Sequence, residues 1–193
     1  LISETFNNPL NYNAIAEIIS HDVNLSVGLL KMVNNVATGT RVEITSLKQA
    51  TAYLGEEKLK QFVTILALSK LTSDKSDEVS RQALITARLM NTIASKNPHF
   101  AQVQEFAFIT GLLSSIEVIL SMPIHEILKS MPLAAPIVEA LEQREGTLGE
   151  LLNITSHYIT GQNDNLQEEL NRYELATEFM QQELVNASNW CTS

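Results

Sequence analysis

Apolar residues recur at spacings of three and four along almost the whole chain, and stretches that alternate apolar and polar residues are scarce. This spacing places apolar side chains along one face of an α-helix, whereas a half-buried strand needs a period of two. The segment Val42–Thr45 is the only weak strand candidate. The sequence therefore predicts an all-α fold, a single bundle of many helices.

Glycines, prolines and polar stretches divide the pattern into separate helices. Gly55 is a good C-terminal stop, and Pro98 and Pro123 block further helix propagation. Val103–Met122 is the most apolar segment and is predicted to be the central buried helix. The other predicted helices are Asn13–Ser20, Asn24–Val36, Leu47–Gly55, Glu56–Leu71, Glu78–Ser95, Ile124–Lys129, Ala134–Arg144, Leu148–Ile159 and a last one from Leu166 onward.

The last predicted helix carries a heptad-like apolar stripe. Its members alternate by four and three and are Leu166, Leu170, Tyr173, Thr177, Met180, Leu184 and Ala187. One interpretation is a helix that packs along the bundle, and the other is a coiled coil that makes a homodimer. We therefore divide the chain into a domain over residues 1–162 and a C-terminal amphipathic helix over residues 163–193, packed on the domain or self-associating.

Charge and composition exclude several classes of protein. The net charge is −9, and from residue 101 onward thirteen acidic residues face only three basic ones, Lys129, Arg144 and Arg172. Such a surface repels phosphate backbones, so no nucleic-acid partner is expected, and the acidity instead favours a basic protein partner or a solvated face. The apolar stretches are too short and broken for a membrane span. Cys191 is the only cysteine, which fits a reducing compartment, and the absence of an initiator Met suggests a piece of a longer protein.

Few residue patterns suggest catalysis. His21-Asp22 forms an HD doublet, but a metal-dependent phosphohydrolase needs a further His and Asp, and no other histidine precedes His99. Asp22 is instead predicted to cap the helix that follows it. His125-Glu126 lacks the second histidine of a zinc protease motif, since Lys129 stands there. No metal site, catalytic residue or cofactor is predicted.

Several blocks of sequence nevertheless resemble a known family. Asp22–Asn34 and Ile44–Gly55 resemble the first two motifs of HDOD domains, the catalytically inactive relatives of HD-type metal phosphohydrolases. In the block Phe108–Ile116, Ser114 and Ser115 occupy the positions of the metal-binding HD doublet. Met122–Leu133 and Arg144–Gly149 resemble the C-terminal module of bacterial EAL–HDOD signalling proteins. The resemblance covers roughly residues 10–162.

The resemblance implies a non-catalytic regulatory or protein-binding module in bacterial signal transduction, connected with cyclic di-GMP, and not an enzyme. It implies a cytoplasmic location, with partners among other signalling proteins or an EAL domain upstream in the parent chain. A groove at the former substrate site could take a peptide, a helix or a small ligand. The alternatives are a dimerisation module and a residual metal-dependent phosphohydrolase. The candidate partner contacts are Asn34, Asn35, Arg41 and Lys48.

Overall fold

The chain folds as a series of helices, as the apolar spacing predicts. The computed structural model describes residues 11–36, 43–70, 78–129 and 131–192, and the side chains of residues 35, 36, 57 and 60–70 lie outside the description. The helices are α1 Tyr12–Ser20, α2 Val23–Val36, α3 Leu47–Lys70, α4 Glu78–Lys96, α5 Gln104–Leu113, α6 Ile116–Leu120, α7 Ile124–Leu128, α8 Ala135–Gln143, α9 Gly146–Thr160, α10 Leu166–Arg172 and α11 Thr177–Thr192, with a 3₁₀ turn at Ala101–Val103. The described residues form no strand, so the all-α prediction is confirmed.

Helix α4 is the centre of the bundle and packs against α5, α9 and α11. Its small residues Ala83, Ala87 and Ala94 are fully buried, which lets the neighbouring helices approach closely. A Cβ atom on Gly111 of α5 would lie 2.6 Å from the Cα of Ala87. The absence of a side chain at this position is therefore a condition for the α4–α5 packing.

Two predicted helix boundaries differ from the structure in an informative way. The predicted helix Val103–Met122 is divided into α5 and α6 at Ser114 and Ser115, where the Ser114 hydroxyl donates a hydrogen bond to the Gly111 carbonyl at 2.6 Å. Gly55 ends the helical geometry as predicted, with φ +74° and ψ 175°, although helical residues resume directly after it within α3. Both breaks are made by local backbone and hydroxyl interactions that apolar spacing does not report.

The weak strand candidate makes a single bridge. The amide of Ile44 donates to the carbonyl of Pro132 at 2.7 Å, and the amide of Ala134 donates to the carbonyl of Ile44 at 3.2 Å. Val42, at the start of the candidate, lies outside the described residues. The bridge fastens the beginning of α3 to the beginning of α8.

The C-terminal stripe belongs to two helices instead of one. The chain turns between α10 and α11, where Glu174 has φ +54° and the amide of Leu175 donates to the carbonyl of Leu170 at 2.9 Å. The turn buries Leu175 and directs α11 back along α4, with Met180 and Ala187 buried. A glutamate with positive φ leaves no mark in the apolar spacing, so the expectation of one continuous helix is wrong. The division at residues 162 and 163 stays a prediction.

One described stretch, Ala101–Leu120, is long and apolar enough by length and composition to cross a membrane, with a mean hydropathy of 1.5. In the structure it comprises the 3₁₀ turn, α5 and α6, and 44% of its most apolar window is buried inside the bundle. Its buried part packs within the bundle formed by the described helices.

Gly111→Ala is predicted to destabilise the fold by roughly 1–2 kcal/mol. Overpacking a core costs about 1–3 kcal/mol, which exceeds the roughly 1 kcal/mol that alanine gains over glycine in a helix. The clash is with backbone atoms of Ala87, so the additional change Ala87→Gly should not restore stability. Urea unfolding followed by circular dichroism measures the effect, with Ser95→Ala on the exposed face of α4 as a control. A stability equal to that of the control would contradict this account of the α4–α5 contact.

The homodimer expected from the stripe can be tested by light scattering. Because Leu170, Met180 and Ala187 are buried within one chain, they are unavailable to a second copy while α10 and α11 are packed. We expect the mass of a single chain across a range of concentrations. A concentration-dependent mass of two chains, lost on deleting residues 163–193, would restore the coiled-coil interpretation.

Candidate functional site

A groove of about 780 Å³ opens between α1, the beginning of α3, α4, α5 and the C-terminal end of α11. This volume lies within the range of about 300–1,000 Å³ that ligand sites occupy. Residues from distant parts of the sequence meet here, because α4 and α5 form the floor and α1, α3 and α11 form the edges. The groove is open to solvent on one side.

Four carboxamide side chains contribute to the polar part of the lining. Asn13 comes from α1, Asn91 from α4, Gln102 from the 3₁₀ turn and Gln104 from α5. Gln102 donates to the hydroxyl of Thr147 at 3.2 Å. The side chains of Asn13, Asn91 and Gln104 make no hydrogen bond to any residue in the described part of the chain. Three groups that can each donate and accept are therefore available to a ligand.

The charged residues of the lining balance one another. Lys48 and Arg88 supply two positive charges, and Glu17 and Glu105 supply two negative ones. Glu105 accepts a hydrogen bond from the hydroxyl of Thr45, which itself approaches Gln49. The groove is thus locally neutral although the whole chain carries a charge of −9.

Trp190 closes one end of the groove. The centroid of its ring lies 4.1 Å from that of the His21 ring. It lies 6.0 Å from the centroid of the Phe108 ring, and these two rings meet edge to face. The guanidinium carbon of Arg88 lies 5.2 Å from the indole centroid, a cation–π distance. Because Trp190 is the only tryptophan of the chain, its fluorescence reports both the packing of α11 and the state of the groove.

Helix α11 is held against α4 by an ion pair and by apolar packing. Glu183 is mostly buried, and its Oε1 accepts a hydrogen bond from the Nζ of Lys96 at 2.6 Å. This bond, together with a second one from Asn186, holds the pKa of the Glu183 carboxyl below its ordinary value despite partial burial. Met180 and Ala187 are the buried apolar residues of the helix, and other apolar side chains of α11 are partly buried against the same core. The position of Trp190 therefore depends on this apolar packing and on one ion pair.

The predicted partner contacts have different places. Lys48 is exposed and lines the groove. Asn34 is exposed near the end of α2 and does not line it. The side chain of Asn35 and the whole of Arg41 lie outside the described residues. Among the described candidates, Lys48 lies at the groove, and its role as a partner contact stays a prediction.

Ser114 and Ser115, at the doublet positions, lie between α5 and α6 and do not line the groove. The groove therefore does not include the two positions at which the resemblance places the metal-binding doublet. Asp22 caps α2 as predicted, since its Oδ1 accepts a hydrogen bond from the amide of Leu25 at 3.0 Å. Across the described residues, no group of three or more His, Cys, Asp or Glu side chains is arranged to hold a metal ion.

The sequence analysis missed Arg88, Asn91, Gln104 and Trp190. Arg88 and Asn91 are three residues apart and therefore lie on one face of α4, beside its buried face. The apolar spacing of the sequence indicated the buried face but not the role of its neighbour. Trp190 follows the end of the apolar stripe, and its place at the groove depends on the turn at Glu174. No local pattern in the sequence reports that turn.

Comparison with known proteins identifies the family. The HDOD domain family matches residues 1–152. The chain belongs to this family. A solved structure with a related fold is that of the MmoQ response regulator of Methylococcus capsulatus, which aligns with a TM-score of 0.67 over 95% of this chain and 92% of that one. At 18% identity this likeness shows the fold alone.

Two curated relatives match this chain over nearly its whole length. The cyclic di-GMP phosphodiesterase CdgJ of Vibrio cholerae is 30% identical over 98% of this chain, and the uncharacterized protein YuxH of Bacillus subtilis is 27% identical over 99%. The chain spans 44% and 46% of the lengths of these two proteins. The family and the first relative support a role in signalling.

The match to CdgJ corrects one expectation. The prediction that the protein is not an enzyme is contradicted, because a relative similar along nearly all of this chain is named a phosphodiesterase. The prediction rested on the family resemblance, on the lack of catalytic motifs and on serines at two metal-ligand positions, Ser114 and Ser115. These features of one region do not decide the activity of a relative that extends over more than twice this length.

Glu183→Gln is predicted to loosen α11. The pKa of Glu183 is lowered by folding, so the ion pair stabilises the fold fully above the ordinary glutamate pKa and loses this effect as the pH falls through the lowered pKa. Because Lys96 is half exposed, the contribution is at most about 1 kcal/mol. Urea unfolding followed by Trp190 emission should show this loss at neutral pH and a flatter acid dependence in the variant. Glu178→Gln, on the exposed face of α11, is the control, and equal acid profiles in both variants would refute the assignment.

Proposed function

We propose that this chain is the regulatory, partner-binding region of a bacterial protein that acts in cyclic di-GMP signalling. The observation that carries the proposal is the 30% identity to CdgJ over 98% of the chain, together with the HDOD match over residues 1–152. CdgJ is named a cyclic di-GMP phosphodiesterase, and this chain corresponds to less than half of it. In this proposal the chain controls a phosphodiesterase output by contacts with other signalling proteins or with an EAL domain in the same protein.

The groove supports a binding role for this region. Several polar side chains converge there without hydrogen-bond partners in the described structure, including Asn13, Asn91 and Lys48. In a folded protein, polar groups that meet in one concave site and remain available are typical of a site that fixes the orientation of a ligand. The groove is also bordered by Trp190 of α11, which a bound partner would meet.

The charge of the chain agrees with a protein partner in the cytoplasm. A net charge of −9 disfavours binding to nucleic acid and to anionic membrane surfaces. It steers basic protein surfaces toward the chain, and this effect weakens as the salt concentration rises.

The proposal predicts a change in cellular cyclic di-GMP when this region is removed. An in-frame chromosomal deletion of the codons for residues 11–192 in the host organism should raise the second messenger, because a phosphodiesterase output loses its regulator. Liquid chromatography with mass spectrometry measures the nucleotide content. A strain with Ser95→Ala, an exposed change on α4, is the control.

Cyclic di-GMP content that stays equal to that of the control strain would refute the proposed function. A complemented strain that expresses the wild-type region should return the content to its original value. Complementation with Gly111→Ala, in which the α4–α5 contact is disturbed, should restore it less completely.

A further inference from the structure

We propose that the groove between α1, α4, α5 and Trp190 binds an extended peptide segment of the partner that carries a basic side chain. This inference rests on the proposed function, since it names the site at which the partner is bound. It is carried by the chemistry of the lining: three available carboxamides, a free carboxylate and an aromatic wall at one end.

The carboxamides fit a peptide main chain. Asn13, Asn91 and Gln104 each present one acceptor oxygen and two N–H donors, and none is used within the described structure. An extended peptide leaves its own N–H and C=O groups free, so that one carboxamide can bind both groups of a residue. A helical partner satisfies these groups internally and would leave the three side chains without a main-chain ligand.

The carboxylates favour a basic side chain in the peptide. Glu17 is exposed at the rim of the groove, and its side chain has no ion-pair or hydrogen-bond partner within the described ranges. Glu105 lies on the opposite side, on α5, where it accepts a hydrogen bond from Thr45. The net charge of the chain, −9, adds a longer-range attraction for a basic segment.

The same charges disfavour a nucleotide as the occupant. Glu17 and Glu105 would both face a phosphodiester in a groove of this size. Arg88 lies over the indole ring of Trp190, so Lys48 is the one cation of the lining without such a contact. Two cations and two carboxylates leave the groove without a net positive charge, so it provides no favourable field for phosphate.

The aromatic wall provides a place for an apolar side chain of the peptide. Trp190 and Phe108 meet edge to face at 6.0 Å, and both line the groove. In an extended peptide alternate side chains point the same way. A basic residue near Glu17 and an apolar residue near Trp190 are thus compatible with one continuous segment.

The test begins with a selection of random nonapeptides displayed on phage against the wild-type chain. Counter-selection uses Asn91→Ala/Gln104→Ala, and the enriched peptide is then synthesised with acetylated and amidated ends. We expect enrichment of sequences with a basic residue, and a saturable change in Trp190 emission when the synthetic peptide is titrated. The double variant should bind about ten-fold more weakly, since two neutral hydrogen bonds are lost at about 0.5–1.5 kcal/mol each.

Matched controls separate the groove from general effects. Asn24→Ala/Gln181→Ala removes two exposed carboxamides outside the groove and should leave binding unchanged. Glu17→Gln should weaken binding of the basic peptide but not of its neutral counterpart with norleucine at the basic position. Thermal unfolding followed by circular dichroism confirms that each variant is folded.

Three outcomes would overturn the proposal. The first is that no peptide is enriched, and the second is that the enriched peptide binds both double variants equally. The third is that cyclic di-GMP changes the emission of Trp190 and that Asn91→Ala/Gln104→Ala abolishes this change. The last result would make the groove a nucleotide site. The cyclic di-GMP content of the deletion strain is measured separately. A changed content without peptide binding therefore overturns the groove assignment alone, and peptide binding without a changed content overturns the proposed function alone.

Discussion

Helices α4 and α5 approach so closely at Gly111 that a methyl group there would lie 2.6 Å from the Cα of Ala87 and 2.7 Å from its amide nitrogen. The arrangement of the other elements follows from this contact. Helix α4 also packs against α9 and α11, so its position relative to α5 sets the positions of both. Because a packed interior transmits small displacements, a shift at Ala87 would also move Arg88, the next residue, in the groove.

The groove also depends on the packing of α4 against α5. Arg88 and Asn91 lie one turn apart on α4, and Gln104 and Phe108 lie one turn apart on α5. Their side chains converge because the α4–α5 contact fixes the angle and distance between the two helices. The edge formed by Trp190 belongs to α11, which is held by the Lys96–Glu183 pair and by buried and partly buried apolar side chains. A ligand in the groove would therefore contact both the α4–α5 pair and α11.

The helices could be predicted from the sequence because a helix with one buried face requires apolar residues at spacings of three and four. Asp22 as a cap and Gly55 as a stop could also be read, since capping and positive φ select particular residue types. The turn at Glu174 could not be read, because a glutamate with positive φ is held there by tertiary packing and not by its own preference. Of the candidate site, Lys48 was reached through a family motif. Tertiary packing brings together Asn91, Gln104 and Trp190, and no local sequence pattern predicts that they are close.

Ser114 and Ser115, at the positions that the resemblance assigns to the metal-binding doublet, lie at helix ends and do not line the groove. The Ser114 hydroxyl donates to the Gly111 carbonyl, one turn earlier, and so satisfies a backbone acceptor at the end of α5. This bond directs the side chain back to its own helix and away from any shared centre. In a metal-binding relative, an imidazole and a carboxylate at these positions would have to project from the helix toward the ion. The serines instead stabilise a helix end, and the polar groups without partners are found along α1, α4 and α5, where a ligand would meet side chains from three helices at once.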